Sequence, residues 1–226
     1  MAVADNVQAV LARIEQACER AFRDPEDVRL VAVTKTVDAD RIIEAIQAGV
    51  CCIGENRIQE AAGKFDALPP VERHLVGHLQ TNKVKKALEL FDVIQSVDSA
   101  RLAREVSVRS VAAGVTTPIL VEVNTSGEES KYGLDPDETL EAVEEMADLD
   151  GIEITGLMTI GAFLPDPDDV RPCFRRLREV RDAIEDRVIS GVRMEHLSMG
   201  MTNDFEVAIE EGATIVRVGR AIFGER

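Results

Sequence analysis

The chain of 226 residues carries 42 acidic against 26 basic side chains, a formal charge of −16 at neutral pH. A field of that sign repels phosphodiester backbones and anionic lipid surfaces, which argues against nucleic-acid and membrane partners. No run of about 18 consecutive apolar residues is available to span a bilayer, and the opening MAVADNVQAVLARIEQACER is charged throughout with no small-residue cleavage site, so the sequence predicts a soluble, cytoplasmic protein.

Barrels of about 200 to 250 residues commonly form one domain, and a single domain spanning residues 1–226 is the expectation. Val3, Val7, Val10, Leu11, Ile14 and Cys18 recur at helical spacing and predict an amphipathic helix ahead of the first strand. Short apolar or β-branched runs follow at 30–34, 50–53, 73–76, 93–95, 118–123, 152–157, 194–197 and 214–218, each read as a strand. The run at 93–95 is the shortest and rests on its place in the series. The segments 39–48, 55–65, 81–90, 99–113, 136–149, 168–186 and 203–211 fill the gaps as helices. Such alternation implies parallel strands joined by crossovers, and eight of them close into a (β/α)₈ TIM barrel of the α/β class. A doubly wound open sheet is the alternative. Cys18, Cys51, Cys52 and Cys173 show no CxxC spacing and read as reduced thiols serving as small buried hydrophobes.

Lys35 follows the first strand run and so stands at its carboxyl end, the face where barrels build active sites. A desolvated lysine there is a competent amine nucleophile, although a lone strand-end lysine also reads as one snorkelling to solvent. The loop Ser198-Met199-Gly200-Met201-Thr202-Asn203 after the seventh strand supplies hydroxyls and a flexible glycine where a helix begins, and Gly219 after the eighth lets backbone amides approach an anion. Barrels bind phosphate at this pair of loops. The plainer reading makes Thr202 or Asn203 an N-cap, with Asn203 and Glu206 at capping-box spacing. A lysine beside a phosphate seat serves either a Schiff-base aldolase acting on a sugar phosphate or a bound pyridoxal 5′-phosphate.

Val33-Thr34-Lys35, Gly54-Glu55-Asn56-Arg57, His74-Leu75-Val76-Gly77-His78-Leu79-Gln80-Thr81-Asn82-Lys83, Leu197-Ser198-Met199-Gly200-Met201 and Val216-Arg217-Val218-Gly219 occur in this order across nearly the whole chain. Together they resemble the pyridoxal phosphate homeostasis proteins. The resemblance implies a barrel related to the amino-terminal domain of alanine racemase, with the cofactor held as an internal aldimine on Lys35. It further implies phosphate contacts from Ser198, Thr202 and Gly219, a pyridine nitrogen facing Arg217, and Asn56 and His78 on loops approaching the cofactor. Arg220 stands where relatives carry a small hydroxyl residue, which leaves its backbone amide as the contact.

A guanidinium stays protonated, so a pyridine nitrogen beside Arg217 acts as an unprotonated acceptor and the ring becomes a poorer electron sink. That suits cofactor holding or racemase-like chemistry. Two-base racemisation needs a second base opposite Lys35, and the single tyrosine, Tyr132, reads as a surface aromatic of the fifth βα loop. Cofactor homeostasis, with recipient apo-enzymes as delivery partners and a monomeric state, therefore stands ahead of a pyridoxal phosphate-dependent racemase. His74 and His78 have an H-x₃-H spacing without the glutamate or third ligand of a zinc site, and His196 reads as a core histidine.

Overall fold

The computed structural model describes residues 2–224; residues 1, 225 and 226, which the single-domain expectation includes, lie outside the described residues. The chain opens with α1 (Val3–Ala21), which buries Val3, Val7, Val10, Ile14 and Cys18 as the spacing predicts. Eight strands follow: β1 (Arg29–Val33), β2 (Cys52–Glu55), β3 (Glu72–Leu75), β4 (Val93–Val97), β5 (Thr117–Glu122), β6 (Ile152–Met158), β7 (Val192–Ser198) and β8 (Ile215–Val218). All neighbours pair in parallel and β8 returns to β1, so the sheet closes into a barrel. The crossovers are α2 (Ala39–Gln47), α3 (Ile58–Lys64), α4 (Val84–Leu90), α5 (Ala100–Ala113), α6 (Thr139–Ala147), α7 (Arg171–Arg187) and α8 (Phe205–Glu210), and α9 (Arg220–Phe223) follows β8.

Local chemistry sets several helix ends. Asp38 and Ser99 accept from Arg41 N and Leu102 N at 3.0 and 3.3 Å to start α2 and α5, and Gly114 ends α5 at φ 70°. The outer helix α1 closes the ring by packing on α2, α8 and α9. Its Arg13 forms a two-point pair with Glu206, and Arg23 donates to the carbonyls of Ile209 and Ala213.

Strand alternation divides the apolar residues into two cores. Val31, Cys52, Val93, Leu120, Met158 and Ile215 pack inside the barrel, whereas Leu30, Ala32, Ile53, Ile94, Ile119 and Val121 face the helices. The expected fold holds, with informative shifts in its elements. β2 begins at Cys52 and runs through Glu55, because Glu55 is fully buried at the strand end rather than opening a helix. β4 extends to Val97 with every residue buried. Cys51 is exposed while the other three free cysteines are buried, so the pattern of buried thiols fails at that one position.

Candidate functional site

The turn after β1 is pinned from several sides and carries Lys35, half-buried, in the inward phase of Val31 and Val33. Thr34 is buried and donates its hydroxyl to Glu55 Oε1 at 2.5 Å. Lys64, from α3, pairs with the same carboxylate and donates to the carbonyls of Thr34 at 2.7 Å and Val37 at 3.3 Å. Thr36 takes the left-handed conformation at φ 61°, which a β-branched residue rarely adopts, while its amide is held by Glu60 Oε2 at 3.0 Å. A strained conformation persists where its surroundings over-determine it, and here they fix the lysine at the barrel's C-terminal mouth.

Lys35 opens onto a cavity of about 430 Å³ shared with Thr202, Arg217, Gly219 and Arg220, walled on one side by Phe163. The loop after β7 is tightly folded. Gly200 sits at φ 90°, and a Cβ there would fall 2.6 Å from Ala208 Cβ and 2.8 Å from Phe205 Cα, so only glycine fits. Its carbonyl accepts from Arg217 N at 3.0 Å, which ties this loop to β8. Asp204 occupies the N-cap position of α8 but turns its carboxylate onto Met201 N, at 2.5 Å, instead of capping the helix. Burial raises the pKa of that carboxyl, against the Met201 amide and the positive charge of Arg217. The Asn203–Glu206 capping box does not form, since Glu206 is taken by Arg13.

Beneath the cavity Arg217 is buried with neutral partners. It donates to Ser198 Oγ at 2.5 Å and to the Thr159 carbonyl at 2.7 Å, and burial pulls its pKa down to about 10, leaving it a cation at neutral pH. Ser198, fully buried, donates in turn to Gln95 Oε1 at 2.6 Å. Glu122, at the end of β5 and in the inward phase of Leu120, has its pKa pushed up to about 7 by burial and by the charge of Asp98, with Arg217 opposing. Among the described residues its buried Oε2 meets no hydrogen-bond partner.

The structure thus brings Lys35, Thr202, Arg217 and Gly219 onto one cavity and sets Ser198 below them. His78 and Asn56 lie elsewhere on the same face. His78 pairs with Asp98 at 3.0 Å and stacks on Tyr132 with ring centroids 3.8 Å apart, lining a separate cavity of about 410 Å³. Asn56 follows β2, and its backbone presses on Gly77, where an added Cβ would meet Asn56 O at 2.4 Å. Sequence reasoning missed Gln95, Glu122 and Asp204. The signal for Gln95 and Glu122 was a polar residue in the inward phase of an otherwise apolar strand.

At the opposite mouth, ligand atoms of Cys52, Glu72 and His74 lie within 4.8 Å of one another. Both Glu72 oxygens already accept from Arg29 Nη1 at 2.9 Å, and burial raises the Cys52 thiol, so the group is neutralised from within.

The sequence matches the alanine racemase N-terminal domain over residues 6–226. It is 44% identical over 228 residues to the pyridoxal phosphate homeostasis protein of Aquifex aeolicus, covering 100% of this chain and 99% of that one. The fold superposes on the crystal structure of an unknown protein from Bifidobacterium adolescentis with a TM-score of 0.94 at 47% identity, covering 98% of this chain and 94% of that one. PipY of Synechococcus elongatus, solved with pyridoxal phosphate bound, gives a TM-score of 0.82 at 33% identity over 94% of this chain and 100% of its own. With the barrel, the lysine turn and the paired β7 and β8 loops in place, these likenesses show that the chain belongs to the alanine racemase N-terminal-domain family and, within it, to the pyridoxal phosphate homeostasis proteins.

Proposed function

We propose that the chain binds pyridoxal 5′-phosphate in the Lys35 cavity, with Lys35 Nζ as the covalent attachment point, and acts in cytoplasmic cofactor homeostasis. The observation that carries this reading is the convergence of Lys35, Thr202, Gly219 and the buried Arg217 on one cavity at the C-terminal mouth. The bound PipY relative supports it. The residues suit the group: a hydroxyl and loop amides for the phosphate, a donor that is cationic at neutral pH for the ring nitrogen, and a lysine for the aldehyde. When bound, the cofactor supplies an electrophilic aldehyde conjugated to a heteroaromatic ring.

Thr202 and the amides around Gly219 hold the phosphate, with the backbone amide of Arg220, a residue that also lines the cavity, beside them. Ser198 acts through Arg217, to which its oxygen is bonded. Asn56 and His78 shape the mouth from the neighbouring loops. The whole chain works as one unit, as a monomer, and hands the cofactor to recipient apo-enzymes. Tyr132, the phenol weighed as a second base, lines the His78 cavity rather than the Lys35 cavity, which keeps binding and delivery ahead of racemisation.

Titration of the purified protein with pyridoxal phosphate, read by visible absorption, tests this. The protein is expected to develop an absorption band distinct from that of the free cofactor, and Lys35→Ala to lack it. Identical spectra for the two proteins at saturation refute the assignment, and α-proton exchange of an amino acid at catalytic rates would restore the racemase reading.

A further inference from the structure

A continuous file of polar side chains runs through the barrel interior from one mouth to the other. It begins at Arg217, passes to Ser198 Oγ at 2.5 Å, to Gln95 Oε1 at 2.6 Å, from Gln95 Nε2 to His74 Nδ1 at 2.5 Å, and from His74 Nε2 to Glu72 Oε1 at 3.0 Å. Arg29 closes the far end on Glu72. His74, Gln95 and Ser198 are 0 to 1% exposed, so water does not interrupt the file.

The two ends fix the direction of every link. A guanidinium only donates and a carboxylate only accepts. Ser198, receiving from Arg217, spends its one proton on Gln95 Oε1, which leaves the Gln95 amide nitrogen to donate to His74. His74 Nδ1 is then the acceptor, and the ring carries its proton on Nε2, facing Glu72. Consistently, the Glu72 carboxyl titrates below its ordinary range, chiefly through the His74 hydrogen bond.

We propose that this file is a directional relay coupling the N-terminal mouth to Arg217, with His74 and Gln95 as positioning residues that hold a Ser198 lone pair on the guanidinium. The inference rests on the reading of Arg217 as the partner of the cofactor's ring nitrogen. A second proton on His74 would turn its Nδ1 into a donor, force the Gln95 amide to rotate, and deprive the Ser198 hydroxyl of its acceptor. By reciprocity, a ligand that repolarises Arg217 must be felt at His74. The groups facing the His74 end are Glu72 from β3, Arg29 from β1, Cys52 from β2 and His196 from β7, whose pKa is lowered by burial and then by Arg29. Glu153, Arg193 and Glu195 line the same mouth.

Nitrogen NMR of protein labelled in its histidine rings tests the relay. In the cofactor-free protein at neutral pH, His74 is expected to be neutral and protonated on Nε2, and Arg217→Met is expected to shift its ring signals. In Gln95→Glu an ionised carboxylate only accepts, and His74 is then expected to carry a proton on both nitrogens. Added pyridoxal phosphate should shift His74 in the wild type but not in Gln95→Leu, which should still bind, about tenfold more weakly at most. A His74 protonated on Nδ1, or signals indifferent to both Arg217→Met and cofactor, would overturn the relay. So would an equal cofactor response in Gln95→Leu. Failure of pyridoxal phosphate to form its Lys35-dependent band would instead count against the functional reading, and the His74 tautomer and its answer to Arg217→Met would then decide the relay alone.

Discussion

The two mouths of the barrel are both polar, yet they resolve their charges in opposite ways. At the N-terminal mouth Arg29 meets Glu72, Glu72 meets His74, and Arg193 lies between Glu153 and Glu195. Each ion there has an ionic or hydrogen-bonded partner of complementary character. At the C-terminal mouth, among the described residues, the Arg217 guanidinium is bonded to a hydroxyl and a carbonyl, Glu122 keeps one oxygen unpartnered, and Asp204 folds onto a backbone amide. Burying a cation against neutral acceptors costs stability, so a charge left in that condition beside a cavity marks a place organised for a ligand. Self-neutralised charge marks a place organised for the fold.

The sharpest way to break the contrast is to remove an ion pair that belongs to the C-terminal mouth but serves the scaffold. Glu55→Ala strands Lys64 in the wall behind the Lys35 turn, and a loss of about 3 to 5 kcal/mol is expected in chemical denaturation. A change below about 1 kcal/mol would show that Glu55 does not hold the turn.

Glu122 is expected to be next in size. Its folded pKa of about 7 exceeds the ordinary 4.5, so the folded state holds a proton that the unfolded state has released between those values. Its contribution to stability is fully present below about 4.5 and is lost as the pH rises through about 7, at ~1.4 kcal/mol per pH unit and up to about 3 kcal/mol in all. Glu122→Gln should remove that dependence and stabilise the protein at pH 8. A denaturation series from pH 5 to pH 8 with parallel curves for the two proteins would contradict it.

Arg217→Met addresses the ligand side of the comparison. It exchanges a buried, neutrally solvated cation for an apolar chain of similar length, so cofactor affinity should fall about tenfold or more while stability changes by less than about 1.5 kcal/mol. Equal affinity in a fluorescence titration would deprive Arg217 of its role. The smallest effect is expected at the other mouth. Arg193 is half exposed, and Arg193→Ala should cost no more than about 1 kcal/mol and leave pyridoxal phosphate binding unchanged.

The barrel was legible because the period of apolar residues switches from helical to strand-like at each boundary, and because Lys35 directly follows the apolar and β-branched run of residues 30–34. Boundaries slipped where a polar residue is buried for a long-range reason. Glu55 reads as the start of a helix until Thr34 and Lys64 are seen to converge on it, and Gln95 gives no hint that its amide lies between His74 and Ser198. The loops after β7 and β8 were visible as short strings, but which hydroxyl faces the cavity was not. Thr202 lines it, whereas Ser198 is consumed below by Arg217 and Gln95. The four-residue α9 escaped notice because a single turn between Gly219 and Gly224 carries no periodicity. Cys51 and Cys52 are adjacent in sequence, yet only the second lies in a strand and points into the barrel.

Borohydride reduction of the pyridoxal phosphate-loaded protein, followed by peptide mass mapping, tests the central claim most directly. A reduced pyridoxyl group on the peptide bearing Lys35, and its absence from Lys35→Ala, is the predicted result. An adduct confined to other lysines, or none under saturating cofactor, would contradict the assignment of this cavity.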